Sequence, residues 1–386
     1  MRSRTSVDAA QSLYSITMSK RRRKKSQHAP QRTPQAAAIP AQRAIITPMI
    51  DLLCCGGLSF VGISIYLLWR LTLGQTTPDR FDLTEITIIA ALVNWPHFMA
   101  SYRLLYSSRL QIVRHKWASI GVPAILLGVM AIALLTPSAK QPGALFVNEP
   151  IGFGLMLVSQ FYLAWHYTGQ AWGMVAAFAF VDGIRMDESE RRMIRLGLRV
   201  LLVFHVFWAS QEIGEHYAVP IDFETVLLIL GAASFVTLLI GIEGFRRIAR
   251  RTGQAPSLRM IAPWAAIYMW YALLYVQPTA LFWVQIFHAL QYMIFPIRVE
   301  LNQHASDRTA IAATLRAVAY YLALVALGFA VFYLPRELIT HGHPQNNLAG
   351  LIAAAVNVHH YFSDGVIWKI RNPEVQRALF SHFERE

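Results

Sequence analysis

Ten times along the chain the sequence runs apolar for about 20 residues, the length at which an α-helix crosses roughly 30 Å of hydrocarbon. The runs cover 49–71, 85–106, 117–137, 150–174, 195–216, 223–243, 258–277, 279–297, 314–335 and 347–369. In hydrocarbon every backbone N–H and C=O must be bonded within the protein, so a spanning segment is either a helix or a strand of a closed barrel. Barrel strands are shorter and alternate in polarity, and these runs do not alternate. The expected fold is therefore all-α: a polytopic integral membrane helical bundle of about ten transmembrane helices. The fourth run continues apolar to Val181, so its helix projects, tilts or breaks near Gly173. Only Gln277-Pro278 separates the seventh run from the eighth, which predicts a tight helical hairpin.

Charge fixes the expected orientation. The chain is 55% hydrophobic and 15% charged, against about 25% charged in soluble domains. Its formal net charge of +13 raises nucleic acid as a partner, but the basic residues sit where a topology needs them. With the N-terminus inside, the inner segments hold 31 of the 35 Lys and Arg residues, and the outer ones only Arg70, Arg80, Lys140 and Arg336. This positive-inside bias predicts both termini in the cytoplasm and no nucleic-acid partner. Residues 1–48 read as a disordered basic cytoplasmic tail carrying the run Lys20-Arg21-Arg22-Arg23-Lys24-Lys25, with anionic lipid as its natural contact. Residues 49–371 are the ten-helix domain and 372–386 a short cytoplasmic tail. The expected location is the plasma (inner) membrane of a bacterium, with membrane lipids and a hydrophobic small-molecule substrate as partners. Cys54 and Cys55 are adjacent inside an apolar run and form no disulfide framework. The first apolar run starts only near Met49, so no cleavable signal peptide is expected.

Function is written in the histidines. Six of the 13 fall inside predicted spans: His97, His166, His205, His288, His359 and His360. Ionisable groups at that depth are costly, so they face a bundle interior and mark a functional site. His97, His166, His288 and His360 lie on four helices that run in the same direction and at comparable depth. Each has polar company at helical spacing: Asn94 and Ser101 beside His97, Gln170 beside His166, Gln291 and Tyr292 beside His288, Asn357 and Asp364 beside His360. A ligating imidazole hands its second N–H to an oxygen acceptor, a role open to Asn94, Gln170, Gln291, Tyr292 and Asp364. Several imidazoles from separate helices suit non-haem iron, copper or zinc. Haem needs only one or two, and no Cys-x-x-Cys-His attachment motif is present, although two of the six could still hold one. Glu212 and Glu215, near His205 and His216 at an outer helix end, are either an interfacial cap or carboxylate ligands. In the outer loop, His341 and His343 read as solvated or as weak ligands.

Pro96-His97 in an early span, with single histidines on separate helices, resembles the bacterial membrane-bound iron oxygenases that cleave β-carotene. That family's motif is Pro-His-Gly-Ala-Leu-Asp; this chain continues Phe98-Met99-Ala100-Ser101, so His97 alone carries over. The resemblance implies non-haem iron and an isoprenoid substrate. Membrane desaturases carry paired His-x-x-His-His boxes, and this chain has one adjacent pair, His359-His360, without an upstream partner. The sequence thus points to a membrane metal-dependent oxidoreductase of oxygenase or desaturase type acting on a lipid or isoprenoid. Two alternatives stay open: a histidine-relay transporter or proton-coupled carrier, and a structural or assembly protein whose histidines only bond between helices.

Overall fold

Local signals start several helices where the sequence places them. The structure, a computed structural model, describes residues 43–73, 87–138, 147–304, 310–335 and 348–384, and among these every regular element is helical. Thr47 caps α1 (Pro48–Leu52) through a 3.2 Å bond from the Ile50 N–H, with Pro48 in the first turn. A π-helical turn, Leu53–Gly57, joins α1 to α2 (Leu58–Leu73). A second such turn, Ala90–Asn94, precedes α3 (Trp95–Leu105). A short α4 (Arg109–Arg114) follows, then a third π turn, Trp117–Gly121, and α5 (Val122–Leu135). Asn148 caps α6 (Glu149–Val181), and α7 is Glu188–His216. Asp222 caps α8 (Phe223–Thr252), which ends at Gly253 in the left-handed region, where a residue without Cβ is unstrained. Ser257 caps α9 (Leu258–Val276). One 3₁₀ turn, Pro278–Ala280, then reverses the chain into α10 (Leu281–Gln303), the tight hairpin expected at Gln277-Pro278. The chain continues with α11 (Ala310–Gly328), the π turn Phe329–Tyr333, α12 (Leu348–Ile367) and α13 (Pro373–Phe380).

Among the described residues six helices are long and apolar enough to cross a membrane: Pro48–Leu68, Trp117–Leu135, Glu188–Gln211, Phe223–Thr252, Pro278–Gln303 and Ile311–Tyr333. This is a membrane protein. Outward-facing Leu127, Ile229, Phe235 and Ile311 are exposed, an apolar exterior that suits lipid rather than water. The other four expected spans are helical as well but less apolar. Polar stripes dilute α3, α6 and α12, and Trp, Tyr and Pro263 dilute α9.

Packing draws these polar helices inward. α6 lies against α7, α9 and α12, while α3 lies against α10, α11 and α12. At 33 residues α6 is about 50 Å long, runs unbroken through Gly173 and exceeds the thickness of hydrocarbon. Trp264 and Trp270 fill the largest apolar cluster, and the Trp264 indole donates to the Ile194 carbonyl at 3.1 Å. A Cβ on Gly56 would lie 2.7 Å from the Ala262 carbonyl oxygen, so glycine there lets the first π turn approach α9.

Both tail boundaries differ from the sequence reading. Residues 1–42 lie outside the described part, but 43–47, assigned to the basic tail, are packed into the bundle. Ile45 is fully buried, and its N–H and that of Ile46 donate to Asp51 at 2.7 and 2.9 Å. Arg259 donates to the Arg43 carbonyl at 2.7 Å, and Arg298 to that of Ile45. Arg259 and Arg298, more than 200 residues away, hold this segment by its carbonyls, a tie that local sequence does not show. At the other end, the expected tail forms α13, capped by Asn372, and inserts Leu379 and Phe380 into the core.

Candidate metal centre

Four helices converge on one point. His97 of α3, His166 of α6, His288 of α10 and His360 of α12 are 2%, 5%, 2% and 0% exposed. Their rings form a closed circuit with centroid separations of 4.7 Å (His97–His360), 4.8 Å (His360–His166), 4.7 Å (His166–His288) and 5.4 Å (His288–His97). One candidate ligand nitrogen from each ring lies within 4.8 Å of all the others. Ion–nitrogen bonds of about 2.0–2.1 Å place opposed donors about 4.2 Å apart, so a single ion would need only small shifts of these rings.

Neighbours decide which nitrogens are free. Nδ1 of His97 is bonded to the Asn94 carbonyl, so that N–H faces its own helix and Nε2 keeps its lone pair. Pro96 has no N–H and leaves the Leu92 carbonyl one turn earlier without a helical partner; the Tyr321 hydroxyl donates to it. The π turn and Pro96 together therefore orient this ligand from backbone atoms. Asn94 supports His97 through its carbonyl, a role its residue type did not announce.

Protons around His360 form one consistent chain. The Trp368 indole donates to the Tyr292 hydroxyl at 2.9 Å, and that hydroxyl donates to Asp364 Oδ1 at 3.1 Å. Ser101 also donates to Asp364 Oδ1, at 2.6 Å, and lies 2.7 Å from the Tyr292 oxygen. With its hydrogen committed there, Ser101 Oγ accepts from His360 Nδ1 at 3.0 Å. A proton on Nδ1 leaves the Nε2 of a neutral His360 as a bare donor, and that atom has no bonding partner. Asp364 Oδ2 stands 3.6 Å from His360 Nε2 and 3.8 Å from His166 Nε2, too far for hydrogen bonds but beside both candidate ligands.

His166 and His288 face each other through their Nε2 atoms at 2.9 Å, close to the roughly 3.0 Å expected of two adjacent ligands on one ion. His288 Nδ1 is buried without a partner. Among the described residues the unpartnered His360 Nε2 carries a cost of about 1–3 kcal/mol that a cation bound at that atom could offset, whereas a cation at His288 Nε2 would leave its Nδ1 as it is. Gln170 and Gln291 act on the helix rather than on the rings. Gln170 Nε2 donates to the His288 carbonyl at 3.1 Å and lies 3.4 Å from Gln291 Oε1, while Gln291 Nε2 donates to the Cys55 carbonyl at 2.9 Å. This chain ties α6, α10 and the first π turn together.

The remaining sequence candidates lie elsewhere. His359 stacks on Tyr102 at 4.8 Å and its Nε2 meets the Ala118 carbonyl at 3.0 Å, away from its neighbour's cluster. His205 is fully buried, with Nδ1 3.1 Å from the Tyr271 hydroxyl, and is not one of the four. Glu215 is exposed near the end of α7, and the side chains of Glu212 and His216 lie outside the described part, as do His341 and His343. Trp368 supports Tyr292. Its spacing of four from Asp364 and eight from His360 put it on their face, a signal present in the sequence. No family model, curated protein or solved structure matches this chain.

Proposed function

We propose that this chain is a multi-pass enzyme of the bacterial inner membrane, with ten spans and both ends in the cytoplasm. In this reading it is a metal-dependent oxidoreductase of the non-haem iron oxygenase or desaturase type acting on a lipid or isoprenoid. The observation that carries it is the buried ring of four imidazoles with converging nitrogens. Nitrogen-rich sites suit iron, copper and zinc. Among these, iron serves the redox chemistry that a hydrophobic, unactivated chain demands, and Pro96-His97 resembles the iron oxygenases named above.

A bound iron would supply one-electron redox change and Lewis acidity. The chain's own residues do the rest. His97, His166, His288 and His360 would hold the ion. The Asn94 carbonyl and Ser101 fix the tautomers of His97 and His360. Asp364 stands ready beside His166 and His360 as a further ligand or as a proton acceptor. Burial keeps bulk water from the reacting chain.

A relay for transported protons needs titrating groups strung across the bilayer, and a closed ring supports a metal site better. The test is oxygen uptake by iron-loaded protein in liposomes of bacterial lipid with added isoprenoid alcohol, followed by mass spectrometry of the lipid. The expected result is uptake with oxygen insertion or loss of two hydrogens, abolished in His166→Ala. No uptake, together with pH-driven flux in sealed liposomes, would replace this reading with the carrier.

A further inference from the structure

A cavity of about 200 Å³ opens beside the ring of histidines, bounded by α6, α10, α12 and α13. We propose that it binds the end of a slender, uncharged apolar chain, which enters sideways from the bilayer and comes to rest against Asp364 and His166. The proposal rests on the metal centre being the reacting site and names the part of the substrate that reaches it.

Four observations carry it. First, the polar corner of the cavity belongs to the centre: His166, Asp364, Tyr292 and Gln170 line it. The Asp364 side chain is 8% exposed, and its Oδ1 is held by Ser101 and Tyr292, so Oδ2 faces the histidines. Second, the rest of the lining is apolar, including Met174, Phe295, Trp368 and Leu379, and holds no lysine or arginine. A phosphate or carboxylate would be buried there without a counter-charge, so the entering end is neutral.

Third, the entrance is kept open by glycine. Trp165, Gly169 and Gly173 follow one another every four residues on α6, facing Gly365 of α12. A Cβ at Gly169, Gly173 or Gly365 would meet nothing within 4 Å. Trp165 is 66% exposed and Gly169 and Gly365 are exposed too, which places the mouth between α6 and α12 on the flank of the bundle. Fourth, size limits the guest. An apolar cavity of roughly 150 Å³ takes a benzene-sized molecule, so this one holds a terminal segment while the remainder of the chain stays in the mouth and the bilayer.

The experiment uses the full chain in nanodiscs and hexadecanol carrying a diazirine either next to its terminal methyl or next to its hydroxyl. After photolysis, peptides are mapped, and metal is measured in the same samples. The methyl-end probe should label 165–174 and 361–370 severalfold more than the hydroxyl-end probe. Gly169→Leu and Gly173→Leu, whose side chains grow into open space, should abolish that labelling with metal content unchanged. Gly154→Leu, also in open space but away from the cavity, should leave it intact. Equal labelling by both probes, or labelling that survives both leucines, would overturn the proposal. A metal-free chain that still showed the expected labelling pattern would overturn the metal reading and leave the cavity assignment standing.

Discussion

Ser101→Ala removes one hydroxyl and unsettles three partners. Ser101 is fully buried, accepts from His360 Nδ1 at 3.0 Å, donates to Asp364 at 2.6 Å and sits 2.7 Å from the Tyr292 oxygen. Without it the fully buried His360 Nδ1–H loses its acceptor, a cost of about 1–3 kcal/mol. The ring can escape by moving its proton to Nε2, which removes the lone pair a metal needs. Loss of such an orienting partner lowers metal affinity about 10–100-fold, or about 1.4–2.7 kcal/mol. The assay is competition for the metal with a chromogenic chelator in detergent, with gel filtration confirming an intact protein. Ser119→Ala is the matched control, a buried serine bonded to the Ile112 and His115 carbonyls and to none of the four histidines. If Ser101→Ala binds metal as tightly as that control, the proton chain does not set the tautomer and the reasoning fails.

Three further outcomes follow from the packing. Gly56→Ala forces a Cβ to 2.7 Å from a backbone oxygen that cannot turn away, so it should cost about 1–3 kcal/mol and lower the melting temperature, whereas Gly154→Ala, in open space, should not. Arg259→Met removes the cation that lies 3.0 Å from Asp182 and 3.6 Å from Asp51, all three nearly fully buried, and should destabilise by about 3–5 kcal/mol in thermal unfolding; adding Asp51→Asn and Asp182→Asn should recover part of it. On the exposed surface, the Arg114 guanidinium bonds Glu374 and holds its carboxyl below its ordinary value of 4.5. A depressed carboxyl stabilises above its unfolded value and loses that effect as pH falls through the folded one, so the difference in melting temperature between wild type and Glu374→Gln should be constant above about pH 5 and vanish in stronger acid. A difference that grew on acidification would have the wrong sign.

Much of the site was legible because membrane burial makes polar residues conspicuous. His97, His166, His288 and His360 stood out by depth, and helical spacing picked out Ser101, Tyr292 and Asp364, which do meet beside His360, whereas Gln170 and Gln291 bond backbone carbonyls instead of the rings. Depth could not separate His359 from His360, since adjacent residues point about 100° apart and each has a plausible polar face; only packing of α12 against α3 turns His360 inward. His205, like the four, falls inside a predicted span, yet α7 delivers it to Tyr271. The backbone contributions left no trace in residue type: the carbonyls of Asn94 and Cys55 work because of π turns that no composition encodes. Hydropathy found the fold class and the runs that form α3, α6 and α12, although the polar stripes on those helices lower their apolar signal. The tail segment 43–47 was missed because its order comes from Asp51, which the sequence reading placed in the first span, and from Arg259 and Arg298, distant in sequence.

Elemental analysis of gently purified protein addresses the centre itself, comparing wild type with single alanine variants at His97, His166, His288, His360, His359 and His205. The account expects one tightly bound iron, or another first-row metal, per chain. It should be largely lost from each of the first four variants and retained in the His359→Ala and His205→Ala proteins. Wild-type protein without metal, or metal that persists when all four clustered histidines are changed one at a time, would contradict it.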